Sequence, residues 1–103
     1  MKMMVNNKPD HVGVRLAETL GIACIHDAKE KFGQLLAMGR DLVVDLSGLE
    51  EIDTAGIQFL MLVKREADRN GFECRFAHPR SNLAETMEYF HLPGLLVGPE
   101  STT

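Results

Sequence analysis

An α/β domain is what this sequence predicts, a mixed β-sheet with helices packed mainly on one side, in the order β-β-α-β-α-β-α-β. Two observations carry that expectation. The hydrophobic period switches repeatedly between two and about 3.6 residues along the chain, the marks of strands and of amphipathic helices. At 103 residues with 45% hydrophobic side chains, the chain suits one packed core, and neither two domains nor a disordered segment.

Residues 1–10 read as a flexible lead-in closing on Pro9-Asp10, a pair that favours a turn. Val12, Val14 and Leu16 then alternate with Gly13 and Arg15, as in a half-buried strand. Leu20 and Ile22 continue the alternation and suggest a second strand. Ala28, Phe32, Leu35 and Leu36 make a helical stripe, with Asp27 and Glu30 at capping-box spacing and Gly39 past its end. Leu42-Val43-Val44 reads as a strand buried on both faces, and Ser47 to Glu51 as a loop.

A second helix is expected from Asp53-Thr54 to about Asn70-Gly71, carrying Gly56, Phe59, Leu60, Val63 and Ala67 inward. Phe72, Cys74 and Phe76 alternate as a further strand. A third helix should start at Ser81 or Asn82 and bury Leu83, Met87 and Phe90. Leu95-Leu96-Val97 reads as a last short strand within a single domain over 11–98, and residues 99–103 as a disordered tail. Parallel crossovers follow from this order. Three such helices cover one sheet face, leaving the other exposed or free for a partner.

Composition excludes several functions. A net charge of −4 without a basic stripe argues against nucleic acid, whose phosphates must be neutralised. No apolar stretch approaches the ~18 residues that a membrane span needs, and the start lacks a signal-peptide pattern. Cys24 and Cys74 have no metal spacing and read as reduced core residues, which points to the cytoplasm. The four histidines share no ligand spacing, so no metal is expected. Phosphate-loop and dinucleotide glycine motifs are lacking, and no cofactor or catalytic residue is expected. Asp45 without a matching acidic pair and late lysine does not fit a response-regulator phosphoacceptor.

The chemistry concentrates in Asp45-Leu46-Ser47-Gly48-Leu49-Glu50-Glu51-Ile52-Asp53-Thr54-Ala55-Gly56-Ile57. It runs from a strand end into a helix start, the usual functional edge of an open α/β sheet. Asp45, Ser47, Asp53 and Thr54 are expected together there, with Ala55, Gly56 and Ile57 presenting a small surface. The simpler reading is also open: Asp53 or Thr54 caps the helix, and Gly56 is small so that helix and sheet can approach.

Val43-Val44-Asp45-Leu46-Ser47-Gly48 followed by Asp53-Thr54-Ala55-Gly56-Ile57 resembles the signature of the STAS domain family. Val12 to Leu16, Arg69-Asn70-Gly71 and the turn from Met87 to Leu95 extend that resemblance over Val12 to Leu96. Ala17-Glu18-Thr19 replaces the family's Gly-Glu, and the sequence stops before its customary last helix.

The resemblance implies a non-enzymatic module like an anti-sigma factor antagonist, whose partner is a Ser/Thr kinase that phosphorylates the hydroxyl at Thr54. Asp-Thr-Ala-Gly is also similar to the STAS subunit of a phospholipid ABC transporter, whose partner is the ATPase, and to chemotaxis-cluster STAS proteins. With Asp53 and Asp45 both beside it, a phosphate on Thr54 is expected to point into solvent, repelled more strongly than the helix N-terminus attracts it.

Overall fold

The computed structural model describes residues 1–92 and 94–96. The strands β1 (Lys2–Asn7), β2 (Val12–Leu20), β3 (Leu42–Ile52), β4 (Cys74–Ala77) and β5 (Leu95–Leu96) form one sheet. Three helices connect its parallel strands: α1 (Ile25–Leu36), α2 (Thr54–Arg69) and α3 (Ser81–Tyr89). Spatial order equals chain order, β1-β2-β3-β4-β5. Only β1–β2 is antiparallel. A sheet that adds each parallel strand on the same side, through crossovers of one hand, places every crossover helix on the same face.

Burial follows. Val12, Val14 and Leu16 of β2, Leu42, Val44 and Leu46 of β3 and Cys74 and Phe76 of β4 are buried beneath the helices. Ala28, Phe32 and Leu35 of α1 meet them, as do Phe59, Leu60, Val63 and Ala67 of α2. Phe32 and Phe59 lock the two helices edge-to-face, with centroids 5.4 Å apart. Asn70 caps the C-terminus of α2, and Gly71 takes φ +83°, a left-handed turn that glycine adopts without strain.

The expected element order holds, but its first two strands are different segments. Residues 1–10 are not a loose lead-in: Lys2–Asn7 pairs antiparallel with Val12–Ala17, joined by a turn in which the Lys8 N–H donates to His11 O at 2.9 Å. Two asparagines and weak alternation hide this edge strand from the sequence. The second strand expected after Leu16 does not exist separately. β2 runs on to Leu20, and Ile22–Cys24 is a 3-10 turn.

Leu42–Val44 is buried on one face only, with Val43 half-buried on the other, and the expected loop at Ser47–Glu51 belongs to the same strand. Two β-bulges explain the error. Between Arg15↔Asp45 and Ala17↔Gly48 the ladder carries one extra residue on β3, and again between Glu18↔Leu49 and Thr19↔Glu51. Leu46 and Leu49, three apart, both reach the core. Gly48 is required at the first bulge, since a Cβ there would lie 2.9 Å from Leu16 O.

Asp27 and Glu30 form no capping box. α1 starts without a side-chain cap, and Asp27 pairs instead with Lys31 at 3.1 Å. Phe72 precedes β4 and packs half-buried against the core. Cys74 is buried, its thiol pushed up to about 12 chiefly by desolvation, while Cys24 is half-buried. Val97 and the expected tail lie outside the described residues. No helix among the described residues is long and apolar enough to cross a membrane.

Leu49 separates the strand from the loop reading. Leu49→Ala is expected to cost about 2–5 kcal/mol in urea unfolding, as for a buried leucine. A loss under about 0.5 kcal/mol, the scale of an exposed loop position, would place it outside the core.

Candidate functional site

β3 delivers the chain to Asp53, whose extended backbone (φ −104°, ψ 179°) is that of a helix N-cap. Its Oδ1 accepts the Gly56 N–H at 2.8 Å and so caps α2. Its Oδ2 accepts the Ile22 N–H at 3.0 Å. The backbone N–H of Asp53 donates to Leu20 O at 3.3 Å. One residue thereby stitches together the end of β2, the 3-10 turn and the first turn of α2. These hydrogen bonds, Ile22 first and Gly56 next, hold the Asp53 carboxyl below its ordinary value of 3.8.

Two glycines make this junction possible. A Cβ on Gly21 would sit 2.7 Å from Asp53 Oδ2. A Cβ on Gly56 would sit 2.3 Å from Leu20 O, so α2 presses on the end of β2 more closely than any side chain permits. The helix-approach reading of Gly56 therefore accounts for it.

Thr54 occupies the first helical position and is exposed. Among the described residues its hydroxyl has no hydrogen-bond partner. Ala55 is half-buried, while Gly56 and Ile57 are buried. The surface expected from Ala55, Gly56 and Ile57 thus reduces to Ala55, because the helical turn points Ile57 into the core. An open groove of about 260 Å³ takes its place. Ile22, Ile25, Ala55, Phe59 and Leu62 line it together with the polar Lys29 and Gln58.

Ile22 is 74% exposed beside this groove and is held there by the Asp53 bond. Sequence reasoning missed Ile22 by assigning it to a strand. Gly21 directly before it, a residue that often ends a strand, was the available signal.

Asp45 and Ser47 do not join the site. β3 continues past them, and through its two bulges Asp45 and Ile52 pair with Arg15 and Leu20, five β2 residues or roughly 17 Å apart. Asp45 lies on the open sheet face, with Arg15 Nε 4.0 Å from its carboxylate and the Ser47 N–H donating to Oδ1 at 2.9 Å. Ser47 O accepts from Arg80 Nε at 3.1 Å. Asp53 is the acid beside Thr54; Asp45 is not.

Because the folded-state carboxyl of Asp53 is depressed, the native state binds its proton less readily than the unfolded chain. Its contribution is full above the unfolded value and is lost as pH falls through the folded one. The stability difference between wild type and Asp53→Asn is therefore expected to be flat above about pH 5 and to shrink below about pH 4 in pH-dependent urea unfolding. A difference that grows on acidification would contradict the assignment. Gly56→Ala should cost about 3 kcal/mol, the upper end for overpacking.

Comparison with known proteins places this geometry. The family model described as "Mlab, STAS domain" matches residues 3–98. No curated protein sequence matches the chain. Among solved structures, the TM1081 protein of Thermotoga maritima superposes with a TM-score of 0.77 at 14% identity, covering 97% of this chain and 90% of that one. A single-site variant of RsbS from Moorella thermoacetica gives 0.74 at 20%, covering 98% and 91%. The anti-sigma factor antagonist SpoIIAA of Bacillus, in its unphosphorylated form, gives 0.72 at 13%, covering 98% and 93%. In the larger Mglu structure (TM-score 0.67, 18% identity, 76% of this chain) the chain spans only 20% of the length. At these identities the structures share the fold alone. The family match covers nearly every described residue, from the edge strand to the last, and the chain belongs to the STAS domain family.

Proposed function

We propose that this chain is a non-enzymatic regulatory module that binds a partner protein through the tip of α2, in the manner of an anti-sigma factor antagonist, with Thr54 as its switch. One observation carries the reading. Thr54 stands exposed at the first position of a 16-residue helix, on a junction that Asp53 ties to two other segments. A partner could reach its hydroxyl without disturbing the core.

A phosphate there would add about −1.5 to −2 charges at pH 7. The helix N-terminus attracts an anion by about 0.3–1 kcal/mol. Asp53 repels it and, already committed to two backbone N–H groups, has little freedom to turn away. With Asp45 removed from the account, repulsion comes from one carboxylate where two were expected. The phosphate still projects into solvent, and the modification acts by altering the surface that the partner meets. Such an adaptor would work in the cytoplasm, where its two free thiols stay reduced.

A second reading has its own support. Asp53-Thr54-Ala55-Gly56 resembles the STAS subunit of a phospholipid ABC transporter, and the matching family description names Mlab. There Thr54 would anchor an ATPase partner without being phosphorylated.

Mass spectrometry of the protein isolated from its own cells is expected to find a stoichiometric phosphate on Thr54, abolished in Thr54→Ala. NMR shifts between the two forms should concentrate in the first turn of α2 and at Ile22. A backbone rearrangement reaching β1 or α3 would sink the surface mechanism. Co-purification with an ATPase, unchanged by phosphatase treatment, would favour the transporter reading.

A further inference from the structure

We propose that the open sheet face, on the side opposite the helices, is a self-association surface for a second copy of this chain. The two copies pack face to face about a two-fold axis that lies between the sheets and runs along the strands, between β2 and β3. This surface is separate from the tip of α2 and leaves Thr54 accessible.

The argument rests on strand register. One row across the open face reads Met4 on β1, Arg15 on β2, Asp45 on β3 and Ala77 on β4. The neighbouring row reads Asn6, Gly13, Val43 and Arg75. The proposed axis exchanges β2 with β3 and β1 with β4 between copies. In the first row Arg15 then faces the second copy's Asp45, and Asp45 its Arg15, while Met4 lies over the position of Ala77, whose own side chain is only 5% exposed. In the second row Gly13 faces Val43, an empty position opposite a branched side chain, and Asn6 faces Arg75, an amide opposite a guanidinium. Each row is complementary to its own reversal, which is what an isologous interface requires.

The face has the properties that such packing needs. All of these residues except Arg75 border an open groove of about 480 Å³. Met4, on the open face beside Arg15, is 67% exposed. Gly13, the second residue of β2, is paired on both sides, with Asn6 and Val43, and has no positive φ to justify it. A Cβ there would find its nearest atom, Asn6 O, at 3.4 Å, so the chain's own packing does not exclude a side chain. A glycine in a strand interior weakens the strand and often marks a place where another chain comes close.

Arg15 and Asp45, 48% and 35% exposed and 4.0 Å apart, contribute little to a monomer. Between two sheets about 10 Å apart each would gain a second opposite charge. Although the chain carries −4 in all, the first row carries one charge of each sign, so two copies do not repel across it.

Analytical ultracentrifugation of the full chain tests this. Wild type is expected to dimerise reversibly, and Arg15→Glu and Asp45→Arg separately to be monomeric. Arg15→Glu makes the first row wholly acidic and Asp45→Arg makes it wholly basic, so an equimolar mixture of the two should regain a dimer containing one of each. The pair within one chain is broken in both variants, so this recovery reports contact between chains.

Gly13→Leu, which adds its Cβ at ordinary contact distance but fills the slot for Val43, should weaken dimerisation at least tenfold with an unchanged circular dichroism spectrum. The proposal is overturned by a wild type that stays monomeric up to about 1 mM, by variants that dimerise alone as wild type does, or by a mixture that stays monomeric. If either charge variant fails to fold, Gly13→Leu decides: dimerisation as tight as wild type overturns the proposal.

Discussion

Everything in this fold follows from the direction in which the sheet grows. Each parallel strand is added beside the last, never back across the first. Crossovers of one hand must then all lie on the same side. The helices therefore form a single layer, one sheet face is sealed, and the other is left to a half-exposed mixture of Gly13, Arg15, Val43 and Asp45. A doubly wound sheet, reversing its strand order, would cover both faces and place its crevice at the reversal. Among the described residues no such reversal occurs. The functional candidates are accordingly a helix tip at the end of a strand and an uncovered face.

Where local pattern and tertiary role agreed, the sequence was legible. The stripe Phe59-Leu60-Val63-Ala67 and the stop at Asn70-Gly71 mark α2, and Asp53 heads it with the expected side-chain cap. Legibility ended where pairing overrode pattern. Lys2–Asn7 has little strand propensity, and only its ladder with β2 makes it a strand. Ser47-Gly48 has the composition of a turn, yet the glycine serves a bulge whose geometry depends on Leu16 O of the neighbouring strand. That single misreading displaced the candidate site. A strand that stopped at Asp45 would bring this acid to the helix edge, whereas a bulged strand running to Ile52 leaves it roughly 17 Å short of that edge. The positions of Thr54 and Asp53 survived because capping is a local interaction, spanning three residues from Asp53 to Gly56.

Asp53 explains why the tip of α2 can serve as a platform. A carboxylate used only as a cap would leave the 3-10 turn free to move, and Ile22 with it. Here the second oxygen holds that turn, so the apolar groove and the exposed hydroxyl keep a set relation to each other. Gly21 and Gly56 are the steric conditions for that relation, since a Cβ on either would collide with the junction. A partner docking there, as proposed, would meet a preformed surface and lose little conformational entropy in ordering it.

The helix tip and the open face differ in how they can be regulated. At the tip, the proposed phosphate would change the local charge by more than the Asp53 carboxylate itself carries, so a covalent modification would suffice to alter recognition. The open face has no exposed hydroxyl in its two central rows. Its balanced pair, Arg15 and Asp45, responds instead to whatever approaches it. A like face satisfies both charges, while a face of single sign satisfies one and strands the other at the cost of its desolvation. Selectivity there is built into the order of residues along two register rows. Because the two surfaces lie on opposite sides of one sheet, a pair of chains joined through the open face would present two tips at once. A partner with two matching sites would then bind the second at a raised effective concentration, with no new contact needed.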